Sequence, residues 1–473
     1  MKKNTLLILL LLIGLPPLNA IAQRYEVAAQ LQELGKHEEA LVQFVALSAI
    51  GNKDAQFSVA AMNFNGQGTK KDYIEGYAWM TIAASKGSEQ AQGVLDKFAS
   101  KLSPEQLAQA KLRHDELVQT YGDAAIHKNL MPTETLNNTR GNFRDRKPLR
   151  KPTAKYPKEA ERRYLDGQTL ISFTVGADGR TRNQRVTSYT SDLFIKPSLI
   201  SVKGFLYQPS KIGDVPVPVY SVSNRFTFQM IGGNGEYKQK ALVKVLSEAK
   251  SKVEHGSSHD RYEYAFLAEG LRQYLSDENR TLFNDAHKWN TAAAIDGHPF
   301  AKFDLGTRIL YGEQCDADSS KSHFWLKSAA QDGVSEAQLL LGLERYNGVM
   351  FEKDEAIGLD WIRKAATNGN EFAKVQFAQL VTLNPQSDDK ILAEARVYLN
   401  DVKLKDLIDK LSYHEANAAL YSREGNFKKA RKFQKKALKE AKKYKLPTAL
   451  MEKNMQGLQE NKVITQLIDT SNT

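Results

Sequence analysis

Ala337-Gln-Leu-Leu-Leu-Gly-Leu-Glu-Arg-Tyr-Asn-Gly-Val-Met-Phe-Glu-Lys-Asp-Glu-Ala-Ile-Gly-Leu-Asp-Trp-Ile-Arg-Lys-Ala-Ala-Thr-Asn-Gly369 spells two helices and the turn between them. Ala337, Leu341 and Tyr346 fall near one face of a first helix. Asn347-Gly348 closes it, because glycine takes the left-handed conformation at a helix end without a steric cost. Lys353-Asp354 precedes a second helix, Glu355 to Thr367, with Ala356, Leu359, Trp361 and the pair Ala365-Ala366 on it; Asn368-Gly369 ends that one. Ala337, Gly342 and Ala365 are small enough for the helices to approach closely, and Trp361 is expected to fill the groove between layers.

The same grammar recurs with a period of 36 residues. All four tryptophans, Trp79, Trp289, Trp325 and Trp361, share one phase of it. Ala55, Ala265, Ala301 and Ala337 stand 24 residues before them, and Gly87, Gly297, Gly333 and Gly369 stand eight after. An Ala-Ala pair precedes each of those glycines. Gly66, Gly312 and Gly348 mark the inner turn in three copies; Ser276 takes that place in the fourth. Self-similarity at a fixed period means units that cannot bury an apolar face alone and must stack into a continuous core. The expectation is a binding scaffold, with the four tryptophans as repeat core.

These residues, Ala-x4-Gly-x5-Gly followed by Asp-x6-Trp-x3-Ala-Ala-x2-Gly, resemble the Sel-like repeat family of helix-turn-helix solenoids. The resemblance covers 301–336 and 337–372 closely, then 55–90, and 265–300 in part. Residues 36–51 are similar to the second helix of a further copy. It implies adaptor or scaffold roles in protein–protein interaction, without catalysis. Near the C-terminus, Tyr421-x3-Gly425-x-Phe427-x2-Ala430 with Ala437-Leu438 resembles a tetratricopeptide hairpin. Its second helix carries Lys428, Lys429, Arg431, Lys432, Lys435, Lys436, Lys439, Lys442, Lys443 and Lys445, the charged outer face that a terminal repeat needs.

The N-terminus has the marks of an export signal: Met1-Lys-Lys-Asn-Thr, the apolar run Leu6–Leu15, and Ala20-x-Ala22 before Gln23. Ten apolar residues fall short of the roughly 20 needed to span a bilayer. The expected product is a periplasmic chain cleaved after Ala22; the alternative is an uncleaved N-terminus anchored in the inner membrane. Loss of Lys2 and Lys3 takes the net charge from +11 to +9 (11 − 2). Export argues against nucleic acid as the target of this basic chain and leaves anionic envelope polymers as acceptors. The single cysteine, Cys315, has no internal disulfide partner and falls in a repeat turn.

Between the repeats the texture changes. Ser103-Pro104-Glu105-Gln106 reads as a capped helix start within 93–123. From Asp123 to Pro152 the chain is polar and basic and reads as a linker. Beyond it the period drops to two: Gln168–Val175 alternates as a strand, Ala177-Asp178-Gly179-Arg180 is a hairpin turn, and Asn183–Tyr189 returns. A short helix is expected over Leu193–Lys203, then Val215–Val219 and a long strand, Tyr220–Met230. Tyr156-Pro157-x2-Ala160, Gly167, Phe173-x-Val175, Asp178-Gly179-Arg180, Tyr207-x-Pro209, Gly213-x-Val215 and Phe226-x-Phe228 resemble the C-terminal domain of TonB, the periplasmic energy transducer, over about 150–231. Phe205 stands where that family has Trp. In that family the domain binds an extended peptide of an outer-membrane transporter by strand addition, a mode in which an exposed sheet edge supplies unpaired N–H and C=O groups. The edge expected here is Ser221 to Met230: Phe226, Phe228 and Met230 on one face, and Ser221, Ser223, Arg225, Thr227 and Gln229 on a polar, soluble one.

Chemistry is sparse. His255-Gly-Ser-Ser-His259 lacks a third metal ligand, Gly232-Gly-Asn-Gly235 lacks the Lys-Ser/Thr of a phosphate loop, and no Gly-x-Ser-x-Gly occurs. No catalytic residue, cofactor or metal is expected. The fold class is multidomain: α-solenoid repeats flanking a small α+β domain with an antiparallel sheet. The partition is 1–22 signal peptide, 23–122 N-terminal repeats, 123–149 basic linker, 150–231 TonB-like domain, 232–260 linker with helix, and 261–473 C-terminal repeats. Expected partners are proteins of the cell envelope, a TonB-dependent outer-membrane transporter among them. The alternatives are an energy-coupled transport component and an envelope-polymer binder.

Overall fold

The structure, a computed structural model, describes residues 25–467 except 86, 136–146, 164, 166, 177–178, 190, 213–214, 218, 229–234, 272–274, 405–409 and 444–447. The export signal, Asp178, Gln229, Met230 and the Gly232–Asn234 loop lie outside those residues.

Helix pairs stack along most of the chain. Three repeats pair Lys53–Asn65 with Tyr73–Ser85, Pro299–Tyr311 with Ser319–Gln331, and Ser335–Asn347 with Glu355–Thr367. Their boundaries come from local chemistry. Asn52 caps the Ala55 N–H at 2.7 Å and Asn370 caps that of Ala373 at 3.0 Å; Asp354 caps that of Ile357 at 2.9 Å. Each side chain satisfies a donor that the helix itself leaves open. Gly66, Gly312 and Gly348 close the first helices with φ of 73°, 65° and 70°. Ser276, at φ −62°, does not make that turn; it caps an inserted short helix, Asp277–Leu282, ahead of Ala286–Ile295. Gly342 is a true point of close approach, since a Cβ there would lie 2.6 Å from Ile362 and 2.9 Å from the Gly358 carbonyl oxygen.

Elements outside the recognised copies extend the stack. Tyr25–Glu33 pairs with His37–Ser48, Glu89–Ala99 and Pro104–Tyr121 follow the first repeat, and Glu371–Leu383 pairs with Asp389–Asp401. The Ser103–Gln106 capping box and Pro104 in the first turn are present. Lys410–Arg423 and Phe427–Lys443 form the terminal hairpin, and Ala449–Gln459 packs on it through Arg431 to the Leu458 carbonyl and Gln434 to the Met451 carbonyl.

The two runs of repeats share one core. Ala28 to Met131 and Leu242 to Trp325 contribute to a single apolar cluster. At the joint, Asn52 Nδ2 donates to Asp296 Oδ1 at 2.9 Å, Arg261 pairs with the other Asp296 oxygen, and the Tyr25 N–H donates to the Asp296 carbonyl. Burial raises the Asp296 carboxyl to about 6 against the pull of Arg261, with Glu26 and Asp54 reinforcing the rise. An unfolded aspartate titrates near 3.9. Between those values the folded chain holds a proton that the unfolded chain has lost, so stability falls as pH rises through the window. Hydrogen-exchange protection of residues 25–48, corrected for intrinsic rates, is expected to drop between about pH 4.5 and pH 6.5. Asp296→Asn should flatten that slope; an unchanged slope would assign it to another group.

In the sequence the small domain lies between the two runs. β2 (Gly167–Val175) is central to a three-stranded antiparallel sheet, with β3 (Thr181–Tyr189) on one side and β7 (Val219–Phe228) on the other. β1 (Pro148–Arg150) pairs with β4 (Leu206–Tyr207), and β5 (Ser210–Ile212) with β6 (Val215–Val217). Ile171, Phe173, Val175, Phe226 and Phe228 face one core with Phe194 and Phe205. Leu170 points the other way, into the solenoid core. Helix Ser258–Leu271 approaches that face at Gly270, where a Cβ would lie 3.2 Å from Leu170 and 3.5 Å from the Ser223 hydroxyl. Ser172 and Thr174 are buried with it. The sheet face expected to be soluble is therefore packed against a repeat helix, and helices cover β2 on both sides.

Candidate protein-binding surfaces

β7 is the end strand of its sheet, bonded to β2 in the register Gln168–Thr227, Leu170–Arg225 and Ser172–Ser223. Thr227 is exposed, Ser223 and Arg225 are half-buried, and Ser221 lies within the strand. Packing at Gly270 restricts access to the Ser223 side chain, but the outer backbone edge has no strand partner among the described residues.

The remaining motif residues frame this sheet. Tyr156 lies edge-on to Phe194 and Phe228, and its hydroxyl donates to the Leu165 carbonyl at 2.6 Å. Pro157 precedes the turn of helix at Lys158–Arg162, and Gly167 opens β2 opposite Phe228. Gly179, at φ 78°, accepts the Tyr207 N–H at 2.8 Å; a Cβ there would collide with the Tyr207 carbonyl oxygen. That collision explains why the hairpin turn needs glycine beside the Tyr207-x-Pro209 element. Phe205 fills the Trp position, with Phe173 at 6.1 Å and Phe226 at 5.8 Å.

A second surface runs along the tryptophan row. The stretch read as linker begins as a helix, Asp123–Asn129, and continues as an extended segment over 130–135 laid against the repeat 299–334. Trp325 Nε1 donates to the Leu130 carbonyl at 2.8 Å and Lys321 Nζ to the Met131 carbonyl at 2.8 Å. Arg308 meets the Glu134 carboxylate at 2.7 Å. The Asp316 N–H donates to Thr133 and the Thr135 N–H to Gln314, a two-bond bridge beside Cys315. The repeat thus holds an extended peptide by its carbonyls, one ion pair and a short backbone ladder.

The other indoles differ in what accepts their N–H. Trp79 donates to Glu75 at 2.9 Å and Trp289 to Asp285 at 3.1 Å, each four residues earlier on its own helix. Tyr121 also covers Trp79, with ring centroids 4.6 Å apart. Trp361 has Ile357 at the corresponding place and makes no hydrogen bond among the described residues. Trp79, Trp289 and Trp325 are buried, but Trp361 is only partly so, with Lys364 4.4 Å over its ring. Trp361 packs against the core but is only partly buried, and among the described residues no segment hydrogen-bonds its indole as 130–131 does that of Trp325.

Two other features resolve simply. His255 and His259 are exposed at a helix start, where Asp260 accepts the Ser257 N–H and hydroxyl; no group of metal-binding residues occurs among the described residues. Lys428, Lys429, Lys432, Lys435, Lys436 and Lys439 stand exposed around a helix whose apolar side is Ala430, Ala437 and Ala441. The Cys315 thiol is fully buried, and burial raises it to about 11, which makes it a poor nucleophile.

Residues 152–230 match the family described as Gram-negative bacterial TonB protein C-terminal; residues 53–88, 299–334 and 335–370 match the Sel1 repeat. A Sel1 repeat protein from Oxalobacter formigenes is similar over 50% of this chain and 67% of its own, at 18% identity and a TM-score of 0.34. A protective antigen present in uropathogenic Escherichia coli strains, displaying an SLR fold, is similar over 92% of this chain and 77% of its own, at 16% identity and a TM-score of 0.31. No curated protein matches the chain. Among the described residues, no helix is long and apolar enough to cross a membrane.

Proposed function

We propose that this chain, which carries three Sel1 repeats and a TonB C-terminal-type domain, is an exported periplasmic scaffold that binds envelope proteins, with an outer-membrane transporter segment as one partner. Sel1 repeats imply protein partners in general. The finer reading rests on one observation: β7 ends its sheet, and its outer edge has no strand partner among the described residues. An extended peptide laid there would pair with that backbone, and the residues involved would be Ser221, Ser223, Arg225, Thr227 and Gln229. Docking of the sheet on helix Ser258–Leu271 would hold the edge in a fixed orientation relative to the repeats.

Thr227→Pro tests the edge, since proline removes one backbone donor. Circular dichroism reports whether the sheet survives, and titration with extended peptides from the N-terminal segments of outer-membrane transporters reports binding. The expected result is a folded variant with affinity reduced about tenfold, a loss on the scale of one charge-free backbone bond. A folded variant that binds every peptide as tightly as the parent removes strand addition at this edge. Intact mass of the protein from the periplasmic fraction should begin at Gln23; a chain retaining residues 1–22 would speak for the anchored alternative.

A further inference from the structure

We infer that the strip around Trp361 is a second peptide-binding site, one repeat along from the segment 130–135, and that it takes an extended apolar segment of a partner protein carrying a basic side chain. This rests on the scaffold reading and specifies one of its surfaces. The argument is continuity with the intramolecular interface. The side chains that hold 130–135 on the repeat 299–334 have counterparts 36 residues on: Trp325 becomes Trp361, Lys321 becomes Ile357 and Arg308 becomes Glu344, while Glu313, in the same turn, becomes Val349. The indole N–H that would bind a carbonyl is present and makes no hydrogen bond among the described residues. The N–H of Glu352, counterpart of the Asp316 donor, pairs with no backbone group among them either.

The substitutions set the chemistry of the occupant. Ile357 and Val349 are 45% and 43% exposed, so where the first site offers the Lys321 ammonium, the second offers apolar surface that stays wet unless covered. In two other repeats an acid four residues before the tryptophan, Glu75 or Asp285, closes the indole internally. Isoleucine at that place cannot accept a hydrogen bond and leaves the donor open. Arg308 reads the Glu134 carboxylate; Glu344, equally buried and bonded to the Met350 N–H at 3.1 Å, reverses that charge. A partner side chain at the Glu134 position should therefore be lysine or arginine.

The probe is a blocked hexapeptide with the sequence of residues 130–135 carrying Glu134→Lys, titrated into the full chain by fluorescence anisotropy. The parental Glu134 peptide should bind at least tenfold more weakly, and Glu344→Gln should erase the difference. Ile357→Glu supplies the internal acceptor used at Trp79 and Trp289 and should abolish binding at an exposed, fold-neutral position. Trp361→Phe, which keeps the ring and removes the N–H, should weaken binding about two- to tenfold. Equal affinity of the two peptides, or undiminished binding by Ile357→Glu, overturns the proposal. So does a concentration-dependent dimer that Ile357→Glu dissolves, which would place a second copy on the strip. Thr227→Pro should leave this titration unchanged, so the two surfaces fail separately.

Discussion

Trp325→Ala is expected to destabilise the chain by about 3–5 kcal/mol, the range for removing a fully buried tryptophan from a packed core. The ring has no solvent exposure and lies edge-on to Phe324, with centroids 5.5 Å apart. The substitution also strips the Leu130 carbonyl of its donor, so a cavity and an unpaired acceptor arise together at the seam between the two runs of repeats. Trp361→Ala is the control, because that ring is only partly buried and bonds to nothing across the seam. Its cost should be less than half that of Trp325→Ala in denaturant unfolding followed by circular dichroism. Equal costs would mean that segment 130–135 adds nothing to the hold on Trp325. A cost for Trp325→Ala within error would overturn the packing itself.

The contrast between those tryptophans marks where the sequence could be read and where it could not. Within a repeat the signals are local: a capping side chain, a left-handed glycine, a tryptophan at fixed phase. These fix Ala337–Gly369 without reference to anything distant, and the departure at Ser276 correctly announces a different turn. The pair Glu371–Leu383 and Asp389–Asp401 escaped because Val397 replaces tryptophan and the capping Asp388 falls two residues ahead of the phase, although Ala373 keeps it. What no period carries is the return of one stretch onto another. Residues 123–135 are polar enough to pass for a linker, yet their carbonyls belong to Trp325 and Lys321. β7 alternates as a soluble-faced strand should, but Gly270 lets a repeat helix rest on its polar side. A signal for the open and closed indoles was present in the residue four places before each tryptophan: Glu75, Asp285, Lys321 and Ile357.

Repeat comparison also yields a rescue experiment. Lys302 and Asp332 form an ion pair at 2.7 Å with side chains 0% and 2% exposed, between the first helix of one repeat and the end of its second. Burial pushes the Lys302 ammonium down, against the pull of Asp332. Desolvating two charges consumes most of what their attraction returns, so the pair adds little net stability, but breaking it strands a charge. Lys302→Met is therefore expected to cost about 3–5 kcal/mol, much of it from the carboxylate left behind. One repeat on, the same two positions hold Gln338 and Asn368, with Asn368 Nδ2 donating to Gln338 Oε1 at 2.9 Å. Gln338 also donates to the Ala330 carbonyl at 2.8 Å, so that neutral pair is satisfied in an equivalent environment. The double change Lys302→Gln with Asp332→Asn transplants it and should return stability to within about 1 kcal/mol of the parent, because neither partner then carries a buried charge. Chemical denaturation of the parent, the single variant and the double variant decides the matter. A single variant as stable as the parent would mean that Asp332 finds water or another cation. A double variant as unstable as the single one would mean that the site requires charge, and that the two repeats are not interchangeable at this layer.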